Sequence, residues 1–161
     1  MTWIKLSGKF LSPDLDKAFI TIGKIILALT AISSVLGGSI DIFQGLIAFY
    51  QGKINLILFI ILVLLGAFRA ALGYGYYLLL DMNKSGRLIS LAKFLAEIGA
   101  GLSIVISPII MLIGLIMLLK DPQSGVLLIL LGGIMLCMGL GLMFFLEERD
   151  NFQIAKQAGS V

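Results

Sequence analysis

Residues 54–80 read INLILFIILVLLGAFRAALGYGYYLLL, a run in which Arg69 is the only charged side chain. A helix needs about 20 predominantly apolar residues to cross the ~30 Å hydrocarbon core of a bilayer. Three more long apolar stretches follow the same pattern, at residues 18–50, 88–119 and 125–146. The sequence therefore predicts an integral membrane protein with four membrane spans.

The composition supports this prediction and selects the type of span. Hydrophobic residues make up 60% of the chain and charged residues 13%, whereas about 25% of a soluble domain is charged. Backbone polar groups in lipid must be paired internally, which leaves helices or a closed barrel. Barrel strands alternate in polarity, and these runs do not. We expect an all-α, four-helix membrane bundle, a single domain over 1–161, with antiparallel neighbours joined by short loops.

The distribution of lysine and arginine predicts the orientation. With four spans, both termini share one side of the membrane with the loop between spans two and three. That side carries nine basic residues (Lys5, Lys9, Lys17, Lys24, Lys84, Arg87, Lys93, Arg149 and Lys156), and the other side carries Lys53 and Lys120. Basic residues are enriched on the cytoplasmic side. The bias predicts a multi-pass protein of the cell (plasma or inner) membrane with both termini cytoplasmic.

Several function classes are disfavoured by residues that the chain lacks. Histidine is absent, which argues against histidine-ligated haem, the usual zinc sites and histidine proton relays. No clustered carboxylates and no serine with a nearby base stand out, so we expect neither an enzyme nor a bound cofactor or metal. The net charge of +3 arises from basic residues near span ends, a pattern typical of contact with lipid headgroups rather than nucleic acid.

Small residues recur at helical spacing in every predicted span. Spans three and four carry them at seven-residue intervals, at Ala100, Ser107 and Gly114 and at Gly125, Gly132 and Gly139. In span two, Gly66, Arg69, Gly73 and Tyr76 share a face, and in span one a polar stripe comprises Thr30, Ser34, Gly37, Asp41, Gln44, Ala48 and Gln51. Such faces let membrane helices approach closely. For span one the stripe favours a continuous helix; the alternative is a break at Gly37-Gly38-Ser39.

The chain also resembles itself when it is shifted by 69 residues. Gly45-Leu46-Ile47 then falls on Gly114-Leu115-Ile116, and Ala31 falls on Ala100. This similarity suggests two tandem helical hairpins in parallel orientation.

Three ionisable residues within the predicted spans stand apart from the basic residues at the span ends, and a charge inside a span is a functional hypothesis. Arg69 and Glu97 each stand roughly 20 Å along their helices from the loop around Lys84, which predicts an Arg69–Glu97 ion pair between spans two and three. Asp41 is expected near the outer boundary and far from Arg69, in an outer polar site with Gln44, with Lys53, Gln44 or water as its partner.

Two interfacial contacts with lipid are expected as well. The residues around Trp3 and Phe10 predict an interfacial segment before the first span, with a disordered tail as the alternative. Tyr76, Tyr77, Lys84 and Arg87 form a candidate contact with lipid headgroups, although tyrosines at this position are also typical of the ordinary aromatic belt.

These features favour a small non-catalytic membrane protein, a structural or accessory subunit that packs in a larger membrane complex or in a homo-oligomer. Its partners would be the lipid bilayer and other membrane subunits or itself. The alternative is a small transporter or channel that uses the Arg69–Glu97 pair.

Overall fold

The structure is a computed structural model that describes residues 13–159, and these residues form four long α-helices. They are α1 (Pro13–Tyr50), α2 (Leu56–Leu79), α3 (Arg87–Met117) and α4 (Pro122–Gln157). Each helix is long and apolar enough to cross a membrane. The expected all-α, four-helix membrane architecture is confirmed. The predicted interfacial segment around Trp3 and Phe10 lies outside the described residues.

The two longest helices settle one open alternative and correct one boundary. Helix α1 runs without interruption through Gly37, Gly38 and Ser39, so the continuous reading is confirmed. Helix α4 does not end near residue 146 as expected but continues to Gln157, because the following residues are mostly good helix formers. Arg149 on this extension is only 3% exposed, so the extension packs against other residues of its unit.

The turn between α1 and α2 is specified by its own sequence. The amide of Lys53 donates to the carbonyl of Ala48, and the amide of Gly52 donates to that of Phe49. These are the two hydrogen bonds of a Schellman cap. This cap needs a left-handed residue, and Gly52 supplies it with φ +66°. The side chain of Asn55 then accepts a hydrogen bond from the amide of Leu58 at 2.9 Å and caps the start of α2.

The described residues divide into two compact units. The first unit is Leu27–Lys93 and contains most of α1, all of α2 and the start of α3; the second unit comprises residues 13–26 and 94–159. Each unit buries few large side chains. Its helices approach each other through glycine and other small residues instead.

In the first unit, α1 and α2 touch backbone to backbone. A Cβ placed on Gly38 would lie 2.7 Å from the amide nitrogen of Ala70, and one on Gly73 would lie 2.8 Å from the carbonyl oxygen of Ala31. Gly66 is equally close to the carbonyl oxygen of Gly38. Larger side chains at these positions would separate the two helices, so the small residues determine the distance between them.

In the second unit, α3 and α4 are in contact along the small residues that recur at seven-residue intervals in spans three and four. Gly139 faces the carbonyl oxygen of Ala100, Gly132 faces that of Ser107, and Gly125 faces that of Gly114. The side chain of Ser107 is fully buried and bonds back to the carbonyl of Ile104 within its own helix. The predicted seams on α3 and α4 are thus each other's partners.

Equivalent contacts recur in the two units, which supports the tandem repeat. Ala31 and Gly45 on α1 correspond to Ala100 and Gly114 on α3, 69 residues later, whereas Gly66 and Gly73 on α2 correspond to Gly132 and Gly139 on α4, 66 residues later. The offset changes because the path through the turn is three residues shorter in the second hairpin: Gly66 follows Gly45 by 21 residues, whereas Gly132 follows Gly114 by 18. A uniform shift of 69 residues therefore aligns α1 with α3 but not α2 with α4.

A further pair of contacts follows the same two offsets. Gly75 of α2 packs against Ala92 of α3 in the first unit, and Gly23 of α1 packs against Gly141 of α4 in the second. Ala92 follows Gly23 by 69 residues, and Gly141 follows Gly75 by 66. Two independent sets of contacts therefore obey one internal repeat.

Neighbouring glycines on α4 allow a test of the seam. Gly132→Ala places a Cβ 2.9 Å from the carbonyl oxygen of Ser107, whereas Gly133→Ala meets nothing within 4 Å. We expect overpacking to make Gly132→Ala about 1–3 kcal/mol less stable, whereas Gly133→Ala is neutral or slightly stabilised by its better helix propensity. Thermal unfolding in a mild detergent measures both. Equal midpoints for the two variants would contradict the seam.

The cap of α4 yields a prediction about pH. Hydrogen bonds from the hydroxyl and amide of Ser124 and from the amide of Gln123 lower the pKa of Asp121. A lowered folded-state pKa means that the carboxylate contributes stability above its unfolded pKa of about 4 and loses it as the pH falls through the folded value. Asp121→Ala should therefore lower the unfolding temperature at neutral pH, and the difference from the parent should shrink below about pH 4. Lys120→Ala, in the same turn, is the control and should show no such convergence.

Candidate functional site

A salt bridge joins the last third of α1 to the middle of α2. Nη1 of Arg69 donates a hydrogen bond to Oδ2 of Asp41 at 3.0 Å. Both residues belong to the first unit. Pairing offsets part of the penalty for placing either charge in a membrane span, although the desolvation of two charged groups still costs free energy.

Gly37 provides the space that the arginine needs. A Cβ on Gly37 would lie 2.5 Å from Cζ of Arg69 and 2.6 Å from Nη2. The guanidinium therefore lies directly over the α1 backbone, one turn before Asp41. Asp41, Gly37 and Arg69 form one structural group, which we call the ion-pair site.

The position of Asp41 corrects the sequence-based expectation that it stands far from Arg69. Measured from the shared turn, Asp41 precedes Tyr50 by nine residues and Arg69 follows Leu56 by 13, a difference in height of only about 6 Å. Helical side chains lean toward the N-terminus of their own helix. Because α1 and α2 run in opposite directions, the two side chains lean toward each other and close this gap. The partner of Asp41 is thus Arg69 rather than Lys53, Gln44 or water.

The ion-pair site is only partly covered by the chain. The side chain of Arg69 is 53% exposed and that of Asp41 is 39% exposed, and Gln44, one turn along α1, is exposed too. Arg69 uses one of its five N–H donors on Asp41, and no other hydrogen bond to it occurs among residues 13–159. The site therefore retains hydrogen-bonding capacity in a part of the chain that lipid would otherwise surround.

The second hairpin has no counterpart of this site. By the offsets of the repeat, the positions of Gly37, Asp41 and Arg69 correspond to Ile106, Ile110 and Met135. An isoleucine at the glycine position leaves no room for a guanidinium, and neither other position carries a charge. The ion pair is thus a special feature of the first hairpin rather than part of the repeated framework.

The predicted Arg69–Glu97 pair stays a prediction. Arg69 belongs to the first unit and Glu97 to the second. Glu97 takes part in an interaction of its own. What the structure adds is that Arg69 already has a carboxylate partner within its own hairpin.

A second charged cluster lies in the second unit, where α4 runs beside the start of α1. Nζ of Lys24 stands 4.0 Å from Oε2 of Glu148 and 5.9 Å from the centre of the Phe145 ring. Arg149, the residue after Glu148, is buried as well. Oε2 of Glu148 is itself buried without a hydrogen bond, so its contact with Lys24 is a long electrostatic one. Sequence reasoning missed this cluster because it ended span four at Leu146.

The candidate residues for lipid headgroups are only partly brought together. Tyr77 and Lys84 line a small pocket of about 240 Å³ together with Asp81, and Nζ of Lys84 lies 3.7 Å from Oδ2 of Asp81. Tyr76 is half-buried and does not line this pocket, and Arg87 is exposed at the first position of α3. Asp81 offsets the positive charge that was expected to attract an anionic headgroup, so the headgroup contact stays a prediction.

Residues 13–159 contain no group of three or more histidine, cysteine, aspartate or glutamate side chains placed to hold a metal ion. Comparison of the chain with protein-family models, with curated proteins and with solved structures finds no match. The properties of the sites themselves must therefore support any functional proposal.

A double-mutant cycle tests the ion pair. Arg69→Leu leaves the carboxylate of Asp41 unpaired, and Asp41→Leu leaves the guanidinium unpaired, so each single variant should be less stable than the parent. The double variant should recover part of the loss, with a coupling free energy of about 0.5–3 kcal/mol. Thermal unfolding in a mild detergent supplies the four values.

The matched control replaces the partner that the sequence suggested. In a cycle between Asp41→Leu and Lys53→Leu, the two effects should simply add. Coupling in this control cycle, together with additivity between Asp41 and Arg69, would show that the pairing described above is wrong. The same cycle between Arg69 and Glu97 tests the pair that stays a prediction.

Proposed function

We propose that this chain is a non-catalytic integral membrane protein that serves as a structural or accessory subunit, packed in a larger membrane complex or in a homo-oligomer. We further propose that it resides in the cell membrane with both termini cytoplasmic, as its nine-to-two distribution of basic residues favours. The observation that carries the proposal is the half-exposed ion-pair site.

The depth of that site explains why it points to a protein partner. Arg69 lies 13 residues from the start of α2 and ten residues from its end, or about 20 Å and 15 Å. Its Cα is thus near the middle of a helix that spans a hydrocarbon core of about 30 Å. A partly exposed guanidinium at this depth is costly against lipid tails, and headgroups are out of reach. Cover from another protein surface removes that cost.

Open glycines on the second hairpin support the same proposal. Gly99, Gly101 and Gly133 would each accept a Cβ without meeting any atom within 4 Å. They differ from the seam glycines because no atom of residues 13–159 packs against the space that a Cβ would fill. Small residues on a free helix face allow another helix to approach closely, so these positions suit packing against a further subunit.

A small transporter or channel is the second candidate, and the ion-pair site is also the observation that favours it. Charges within membrane spans mark many substrate and ion pathways. The predicted Arg69–Glu97 pair would supply a further polar group along such a path. A pathway needs several polar groups in series, whereas the second hairpin offers isoleucine and methionine at the equivalent positions. We therefore rank transport below the accessory role.

Gentle purification from the native membrane separates the two candidates. The accessory role predicts that a larger membrane polypeptide or further copies of the chain co-purify in fixed ratio. The double variant Asp41→Leu/Arg69→Leu should lose this association while it remains folded, because it no longer presents a polar site that needs cover. Quantitative gels and the mass of the particle in detergent provide the measurement.

The control is Ile60→Ala, which alters an exposed side chain (47%) about 180° around α2 from Arg69 and should leave the association intact. A protein that is purified as a lone monomer from every gentle detergent would count against the accessory role. An isolated oligomer that conducts ions, with charge variants that assemble normally but do not conduct, would establish the transport candidate instead.

A further inference from the structure

The exposed part of the ion-pair site forms a patch with Gln44 on one side of α1. Asp41 and Gln44 are three residues apart and therefore share a helix face, and the guanidinium of Arg69 lies on the same side over Gly37. This patch holds a cation, an anion and an amide within about two turns of helix. We call it the polar patch.

The polar patch is neutral overall, yet it has both hydrogen-bond donors and hydrogen-bond acceptors that are unused. Arg69 has free donors beyond the one that Asp41 receives, and a carboxylate accepts more than the single bond that Asp41 accepts here. A purely anionic or purely cationic partner would compete with the internal pair. A partner that presents a cation and an anion as far apart as Asp41 and Arg69 can bind both residues without breaking their ion pair.

A second copy of the chain is such a partner. All copies insert with the same orientation, since the distribution of basic residues is the same in each. A two-fold axis along the membrane normal then relates the copies and keeps every residue at its own depth. Asp41 and Arg69 are in contact and hence at nearly one depth, so each copy presents its carboxylate at the height of the other copy's guanidinium.

We propose that two copies of this chain associate in parallel through the polar patch, with Asp41 and Arg69 of each copy facing Arg69 and Asp41 of the other. The four charges form a neutral ring near the middle of the membrane, and the two copies shield it from lipid. This inference rests on the proposed function, of which it specifies the partner.

Cysteine cross-linking in intact membranes tests the inference. Cys137 is the only native cysteine, so Cys137→Ser gives a cysteine-free background. In that background, Gln44→Cys should form a disulfide-linked dimer of the chain on mild oxidation. Leu46→Cys is the matched control: it is exposed (53%) at a similar depth, but it lies about 200° around the helix and should stay monomeric.

A second variant shows whether the charges hold the copies together. Addition of Asp41→Leu and Arg69→Leu to the Gln44→Cys chain should abolish the cross-link, while the unfolding transition of the protein persists. A cross-link that is unaffected by this double replacement would overturn the charge ring.

The remaining outcomes separate this inference from the proposed function. If Gln44→Cys cross-links only to a different polypeptide, the second copy is wrong and the accessory role stands. If Leu46→Cys forms the dimer and Gln44→Cys does not, the chain self-associates through another face and the polar patch is wrong. If neither cross-links and the protein is a monomer in gentle detergents, both proposals fail.

Discussion

The close approach of helix backbones is the constraint on which the rest of this structure depends. Lipid tails are as apolar as leucine, so exclusion of water does not hold membrane helices together, and van der Waals contact must do so. At Gly38 and Gly66, and again at Gly132 and Ser107, one backbone lies against the other with no room for a side chain. The same constraint recurs through the internal repeat, at Gly66 and Gly73 in the first hairpin and at Gly132 and Gly139 in the second.

The ion-pair site is an addition to that framework, made possible by one more glycine. Gly37 lies beside the α1–α2 seam, and the guanidinium of Arg69 occupies the space that a side chain would fill. The repeat places isoleucine there in the second hairpin, so packing alone does not require the charges. A neutral pair that is partly exposed at mid-membrane depth needs cover from something other than lipid. This requirement links the geometry of one hairpin to the assembly that we propose.

Sequence reasoning was most successful where periodicity carries the information. The seven-residue series at Ala100, Ser107 and Gly114 and at Gly125, Gly132 and Gly139 were predicted as packing faces, and the structure pairs them with each other. It failed for Asp41, because helical rise was measured from separate reference points and the opposite lean of side chains on antiparallel helices was ignored. It also failed after Leu146, because hydropathy reports where a lipid-facing run ends, whereas a helix continues for as long as its backbone hydrogen bonds and packing favour it.

The sequence by itself determined that four apolar helices form, because runs of this length and polarity leave the backbone no other way to satisfy its polar groups in lipid. It also determined the small residues of the seams and the similarity of α1 to α3, since both are visible as spacing, whereas the 66-residue offset between α2 and α4 was recognised from the contacts. Only the tertiary structure decided which carboxylate pairs with Arg69. It also decided that Lys24 lies near Glu148 and Phe145 and that Arg149 is buried. Such pairings depend on which helix faces are adjacent and on the relative heights of the helices, and residue spacing along one helix contains no information about either.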